Sequence, residues 1–125
     1  METLMVIAVE HAGADRGLLI LLRGDEAQIE AEATTGSDKV QVTLREEVVA
    51  REELPKSVFH YAVRTRESVI LDDAASSALF STDPYVQRRR PRSVLCLPLV
   101  KQANLVGVLY LENKLTPRVF TPAKN

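Results

Sequence analysis

The side chains able to do chemistry are few and scattered. The single thiol, Cys96, stands between Leu95 and Leu97 inside an apolar run. A thiol there behaves as a small hydrophobe with a raised pKa, inert as a nucleophile. His11 and His60 are nearly fifty positions apart, with no Cys or acidic partner at metal-ligand spacing, so no metal is expected. Neither a Ser-His-Asp arrangement nor a Gly-rich phosphate loop occurs. Asp72 and Asp73 form an acidic pair after Val69-Ile70-Leu71. Two readings of that pair stand side by side: its carboxylates face a pocket, or one of them caps a short helix over Ala74 to Leu79. Arg88, Arg89, Arg90 and Arg92 are the one basic run. A solvated helix face is its default reading. Arg92, which opens a buried strand, is the best placed to hold an anion bidentately.

Positioning these residues falls to elements legible in the hydrophobic pattern. Arg92 to Val100 and Leu105 to Asn113 are two Val- and Leu-rich runs around the polar turn Lys101-Gln102-Ala103-Asn104. That is a hairpin covered on both faces, since a half-wet hairpin would alternate apolar and polar residues. Upstream, Leu4, Met5, Ile7, Ala8, Val9 and Ala12 recur at helical spacing, with Gly13 as a stop. Gly17 to Leu22 is a continuous apolar strand, turned back by Gly24-Asp25-Glu26. Ile29, Ala31 and Ala33 alternate with polar residues, predicting a strand with one wet face. Val40, Val42 and Leu44 predict a short edge strand before the charged stretch Arg45 to Glu53. Pro55 to Arg66 carries one apolar face and a proline suited to a first helical turn. Val69 to Leu71 is a strand. Asp83-Pro84 starts a helical turn or two, through Arg90, and Pro91 ends it.

Composition bounds the rest. The chain has 125 residues, 46% of them hydrophobic and 26% charged, enough for one core and one domain. A net charge of -1 argues against nucleic acid or a membrane surface as partner. No run reaches the roughly 18 apolar residues of a membrane helix. One cysteine excludes an internal disulfide and fits a reducing, cytoplasmic compartment. The element order (helix, two or three strands, helix, strand, short helices, hairpin) predicts an α+β fold, a mostly antiparallel sheet of five to six strands with helices on both faces.

The wording of several segments resembles a GAF domain, a small sensory module of bacterial signalling proteins and cyclic-nucleotide phosphodiesterases. The resemblance rests on Arg92-Ser93, the strand with Pro98, and Leu105-Val106-Gly107-Val108-Leu109-Tyr110-Leu111-Glu112-Asn113. Val69 to Ala74, Ala78-Leu79-Phe80 with Asp83-Pro84-Tyr85, and Phe120-Thr121-Pro122 add to it, in the family's order over nearly the whole chain. It implies a GAF-like, profilin/PAS-like fold, residues 1–125 being a single domain cut from a longer protein with its C-terminal helix missing. It also implies a parent such as a sensor histidine kinase of a two-component system, with signalling domains in the same chain. The terminal helices would pair two copies as a homodimer and relay a ligand's presence. Bilin-attaching members use a Cys commonly followed by His, and methionine-sulfoxide-reducing members use several cysteines, so neither activity is expected here. Asn113-Lys114 followed by Phe120 is similar to half of the cyclic-nucleotide signature, whose Asp-Glu half would fall on Lys124 and Asn125.

The expectation is therefore a non-catalytic module without a cofactor, binding an unknown small molecule. Its alternatives are a structural dimerisation module and a cyclic-nucleotide-binding domain. The family's cleft implies a site in the segment Asp72 to Ser93, expected to be the most mobile part of the domain. Phe80 and Tyr85 would give apolar cover, and Asp72, Asp73, Arg92 and Ser93 the polar groups. In the rival reading Phe80 is core, and Arg92 pairs with Asp72 or Asp73 to hold the loop shut.

Overall fold

Six strands form one sheet in the order β3-β2-β1-β6-β5-β4, every neighbouring pair antiparallel. In this computed structural model the described residues are 14–23, 26–35, 40–48 and 54–114. The strands are β1 (Arg16–Arg23), β2 (Glu26–Thr35), β3 (Val40–Val48), β4 (Val69–Leu71), β5 (Ser93–Lys101) and β6 (Asn104–Asn113). Among the described residues, two α-helices, α1 (Lys56–Thr65) and α2 (Pro84–Arg89), and one 3₁₀ turn (Ala74–Ser76) accompany the sheet. The expected N-terminal helix, the turn at Gly24-Asp25 and the Phe120-Thr121-Pro122 segment lie outside the described residues.

The hairpin forms as its pattern requires. Val94, Cys96, Val108 and Tyr110 point to one face and are fully buried, while Leu95, Leu99, Leu109 and Leu111 point to the other. Pro98 is tolerated because β4 pairs with β5 only as far as Cys96. Beyond it, β5 has no strand on that side among the described residues, and a missing N–H there breaks no ladder bond. The turn is Gln102-Ala103, with Lys101 paired to Asn104 and both turn residues at positive φ, 52° and 67°. Gly107 lies on β6 opposite Leu21 of β1, tight against the neighbouring backbone. A Cβ there would sit 2.5 Å from the Ile20 carbonyl oxygen.

α1 lays Val58, Phe59 and Ala62 against the first face of the sheet. With Leu18, Ile20, Ile29, Leu54, Val69, Phe80, Val86, Val94, Cys96, Val108 and Tyr110 they make the main core. Burying each such aliphatic side chain is worth about 1.5–3 kcal/mol, which is what holds helices this short. Ala14, Leu19, Ala31, Ala33 and Leu111 make a smaller cluster on the opposite face.

Two strands depart from expectation. Ile29, Ala31 and Ala33 do not share a face: Ile29 joins the main core and the two alanines the opposite cluster. The cause is a register shift in which Leu19 pairs with Ala31 and Ile20 with Ile29, so Glu30 is skipped and the pleat reverses. β3 runs on through Arg45, Glu46 and Glu47 because β2 continues to offer it a ladder as far as Val48. The segment expected as a helix over Ala74 to Leu79 contracts to one 3₁₀ turn followed by hydrogen-bonded turns.

Candidate functional site

The six residues expected around a ligand fall in four places. Asp72, Asp73 and Arg92 line one cleft of about 680 Å³, with Ile70, Leu71, Ser76 and Ser77. Phe80 is core, 7% exposed, its ring edge-on to Tyr61. Ser93 is fully buried at the start of β5, opposite Asn113. Tyr85 lines a second cleft on another side of α2.

The first cleft is built by the end of β4 and the loop that crosses to the 3₁₀ turn. Asp73 occupies the cap position of that turn, but its side chain makes no capping bond. Instead Oδ2 lies 3.4 Å from Arg92 Nε, and Oδ1 is buried with no hydrogen-bond donor among the described residues. At 3.4 Å the pair is longer than a good charge-assisted hydrogen bond, and both side chains are partly in water, 31% and 44% exposed. Such a pair is worth about 0–1 kcal/mol, so it latches the loop weakly. An unsatisfied buried acceptor costs about 1–3 kcal/mol, a cost a donor on a ligand would remove. The backbone closes the same corner: Ala74 N–H donates to the Arg92 carbonyl, and Arg92 N–H to the Asn113 carbonyl.

Asp83, buried at 7% exposure, positions both helices. Oδ1 accepts from Tyr85 N–H at 2.8 Å, as the Asp83-Pro84 pattern predicts for α2. Oδ2 accepts from Ser57 N–H at 2.9 Å and from the Ser57 hydroxyl, in the first turn of α1. One of the amides that α1 cannot satisfy itself is thus capped from 26 residues away.

The second cleft, of about 590 Å³, is lined by Asp15, Arg16, Glu32, Thr34, Thr35, Tyr85, Arg89, Glu112 and Lys114. Its floor is a chain of polar side chains that the sequence did not announce. Glu112, 2% exposed, accepts from the hydroxyls of Tyr85 at 2.8 Å and Tyr110 at 2.6 Å. Arg16 donates to the Tyr85 oxygen at 3.1 Å and to Glu32 at 2.9 Å, and Arg45 donates to Glu32 at 2.8 Å. The pleat reversal in β2 is what turns Glu32 toward Arg16. Burial pushes both tyrosine hydroxyls well above their ordinary pKa, and the Glu112 charge adds to it. Burial works against the Arg16 charge, yet the surrounding Tyr85, Glu112 and Glu32 raise its pKa overall. One signal was present: a Glu closing the run Val108 to Leu111 is an unusual residue to bury.

Cys96 is fully buried, and burial alone pushes its thiol up to about 12, so no thiolate forms at neutral pH. His60 is exposed on α1, and His11 lies outside the described residues. Among the described residues no group of three His, Cys, Asp or Glu stands close enough to hold a metal ion, and no helix is long and apolar enough to cross a membrane.

Comparison with known proteins agrees with this architecture. The GAF domain family model matches residues 1–124. The hybrid signal transduction histidine kinase G of Dictyostelium discoideum is 43% identical over 68 residues, 54% of this chain and 2% of that protein. Histidine protein kinase 1 of Candida albicans is 27% identical over 114 residues, 90% of this chain and 4% of that protein. The chain therefore spans only a few hundredths of these curated relatives. The crystal structure of the GAF domain region of a putative membrane protein from Geobacter sulfurreducens superposes with a TM-score of 0.70. It is 11% identical and the match covers 97% of this chain and 78% of that one, a likeness of fold alone.

Proposed function

Because this chain belongs to the GAF domain family, we propose that it is the non-catalytic sensory module of a sensor histidine kinase. In this reading it binds a small molecule in the cleft beside β4 and passes the change to signalling domains of the same polypeptide. It works in the cytoplasm as a homodimer, and ligand shifts the population between two arrangements of the terminal segments. The kinase relatives support the parent's class. The observation that carries the site is Asp73, whose Oδ1 lacks a donor while its Oδ2 is held only loosely by Arg92. A ligand with an N–H donor for Asp73, an acceptor for Arg92 and an apolar body for Ile70 and Leu71 would fit that lining.

A second reading, a structural dimerisation module, is favoured by one observation. Phe80, Val86 and Tyr110 are packed into the main core between the sheet and the segment around α2, filling it with the chain's own side chains. Native mass spectrometry of the protein as purified separates the two. A retained small molecule, lost from Asp73→Ala and Arg92→Ala variants that still fold, supports the sensor. Retention undiminished in both variants removes this cleft as the site, and no ligand from any preparation leaves the structural reading.

A further inference from the structure

The second cleft differs from the first in its balance of satisfied and unsatisfied charge. Each of its carboxylates is already engaged. Glu112 is held by two tyrosine hydroxyls and Glu32 by two guanidinium groups. Asp15 Oδ2 accepts from the Lys114 backbone N–H at 2.8 Å. Two cations on its rim make no side-chain hydrogen bond or ion pair among the described residues: the side chains of Arg89 and Lys114 are exposed, and Arg89 acts on the Tyr85 phenol through its charge. They come from distant parts of the chain, Arg89 from the last turn of α2 and Lys114 from the residue after β6, and converge on one opening. Arg16 lies deeper in the same cleft, where Tyr85, Glu112 and Glu32 raise its pKa against the effect of burial.

We propose that this cleft is a second ligand site, separate from the one beside β4, and that it takes a small phosphate-bearing anion. The Arg89 guanidinium presents a planar fork of donors suited to two phosphate oxygens. The Lys114 ammonium is a compact charge for a third oxygen. Thr34 also lines the cleft with a hydroxyl, while the Thr35 hydroxyl beside it already donates to the Asp15 carbonyl at 3.3 Å. Such an anion bridges α2 to the exit of β6, so its binding clamps the short helix to the point where the chain leaves the sheet. None of this depends on the cleft beside β4 being occupied.

The test is a titration of the protein with inorganic phosphate at constant ionic strength, chloride replacing it in the control, followed by heteronuclear NMR and thermal unfolding. The expected result is saturable shifts confined to residues around Arg89, Thr34, Thr35 and Lys114, with a raised unfolding temperature. Arg89→Ala and Lys114→Ala each weaken binding about tenfold, the size expected when one of a few charge-assisted contacts is lost. Arg88→Ala, which removes the same charge from an exposed neighbour outside the cleft, leaves binding unchanged. Asp73→Asn also leaves it unchanged, which separates this site from the first. No saturable response, an equal loss in Arg88→Ala, or shifts that map to Asp73 and Arg92 would overturn the proposal.

Discussion

A carboxylate has two oxygens, and Asp83 spends them on the first turns of two different helices. Replacing it with Ala strips both caps at once. With each cap worth about 0.5–2 kcal/mol, Asp83→Ala should lower unfolding free energy by about 2–3 kcal/mol. Asp83→Asn keeps one acceptor oxygen and should fall between, while Ser57→Ala loses only the hydroxyl contact and costs least. Urea unfolding followed by circular dichroism is the measurement, since the chain has no Trp. Equal stability of Asp83→Ala and the parent would refute the double cap. Half of this residue's role was legible in advance. Asp before Pro marks a helix start locally, but the bond to Ser57 depends on α1 and α2 lying side by side on the sheet.

Strand-level predictions concern the hairpin that dominates the sheet. Ala103 is held at φ 67° in a two-residue turn, where Gly fits without strain. Ala103→Gly should therefore stabilise the chain by about 0.5–1 kcal/mol, unlike a glycine placed in a regular strand. Gly107→Ala should do the opposite. Its new methyl would meet the Ile20 carbonyl at 2.5 Å, backbone that cannot swing aside. Prying β6 from β1 should cost about 1–3 kcal/mol. Paired thermal melts of the two variants check both signs, and a Gly107→Ala protein as stable as the parent would show that the strands have room. The apolar runs predicted this hairpin, whereas the close approach at Gly107 follows only from β1 lying beside β6.

For the whole molecule, the buried acids set an alkaline limit on stability. The Cys96, Tyr85 and Tyr110 pKa values are all raised in the folded chain, so folding favours their protonated forms. Their contribution is complete below the ordinary values, 9.0 for the thiol and 10.0 for the phenols. It is lost as pH rises from there toward the folded values, about 12 for Cys96. Unfolding free energy should thus stay level with respect to these groups up to about pH 9 and then fall, each group adding a slope approaching about 1.4 kcal/mol per pH unit. Cys96→Val should remove the earliest part of the fall and leave the tyrosine part. Denaturant unfolding across that range decides it, and a curve flat through the tyrosine range would mean the phenols are not buried as described.

Local patterns in the sequence determined most of the described elements and their order, the double-sided hairpin and the inertness of Cys96, because each depends on residues a few positions apart; the helix expected over Ala74 to Leu79 is the exception. The α+β fold and the GAF resemblance followed from them. Tertiary structure alone decided how the candidate residues were divided. Arg92 came to Asp73 because the chain after β4 doubles back across the start of β5. Tyr85 went instead to a network with Arg16 and Glu112, which meet only because β1 pairs with β6 and α2 docks at their shared end. Even Glu32 faces that network only through one skipped residue in β2. Side-chain periodicity repeats every two residues along a strand. It carries no mark of which strand will lie alongside, nor of where a bulge will reverse the count.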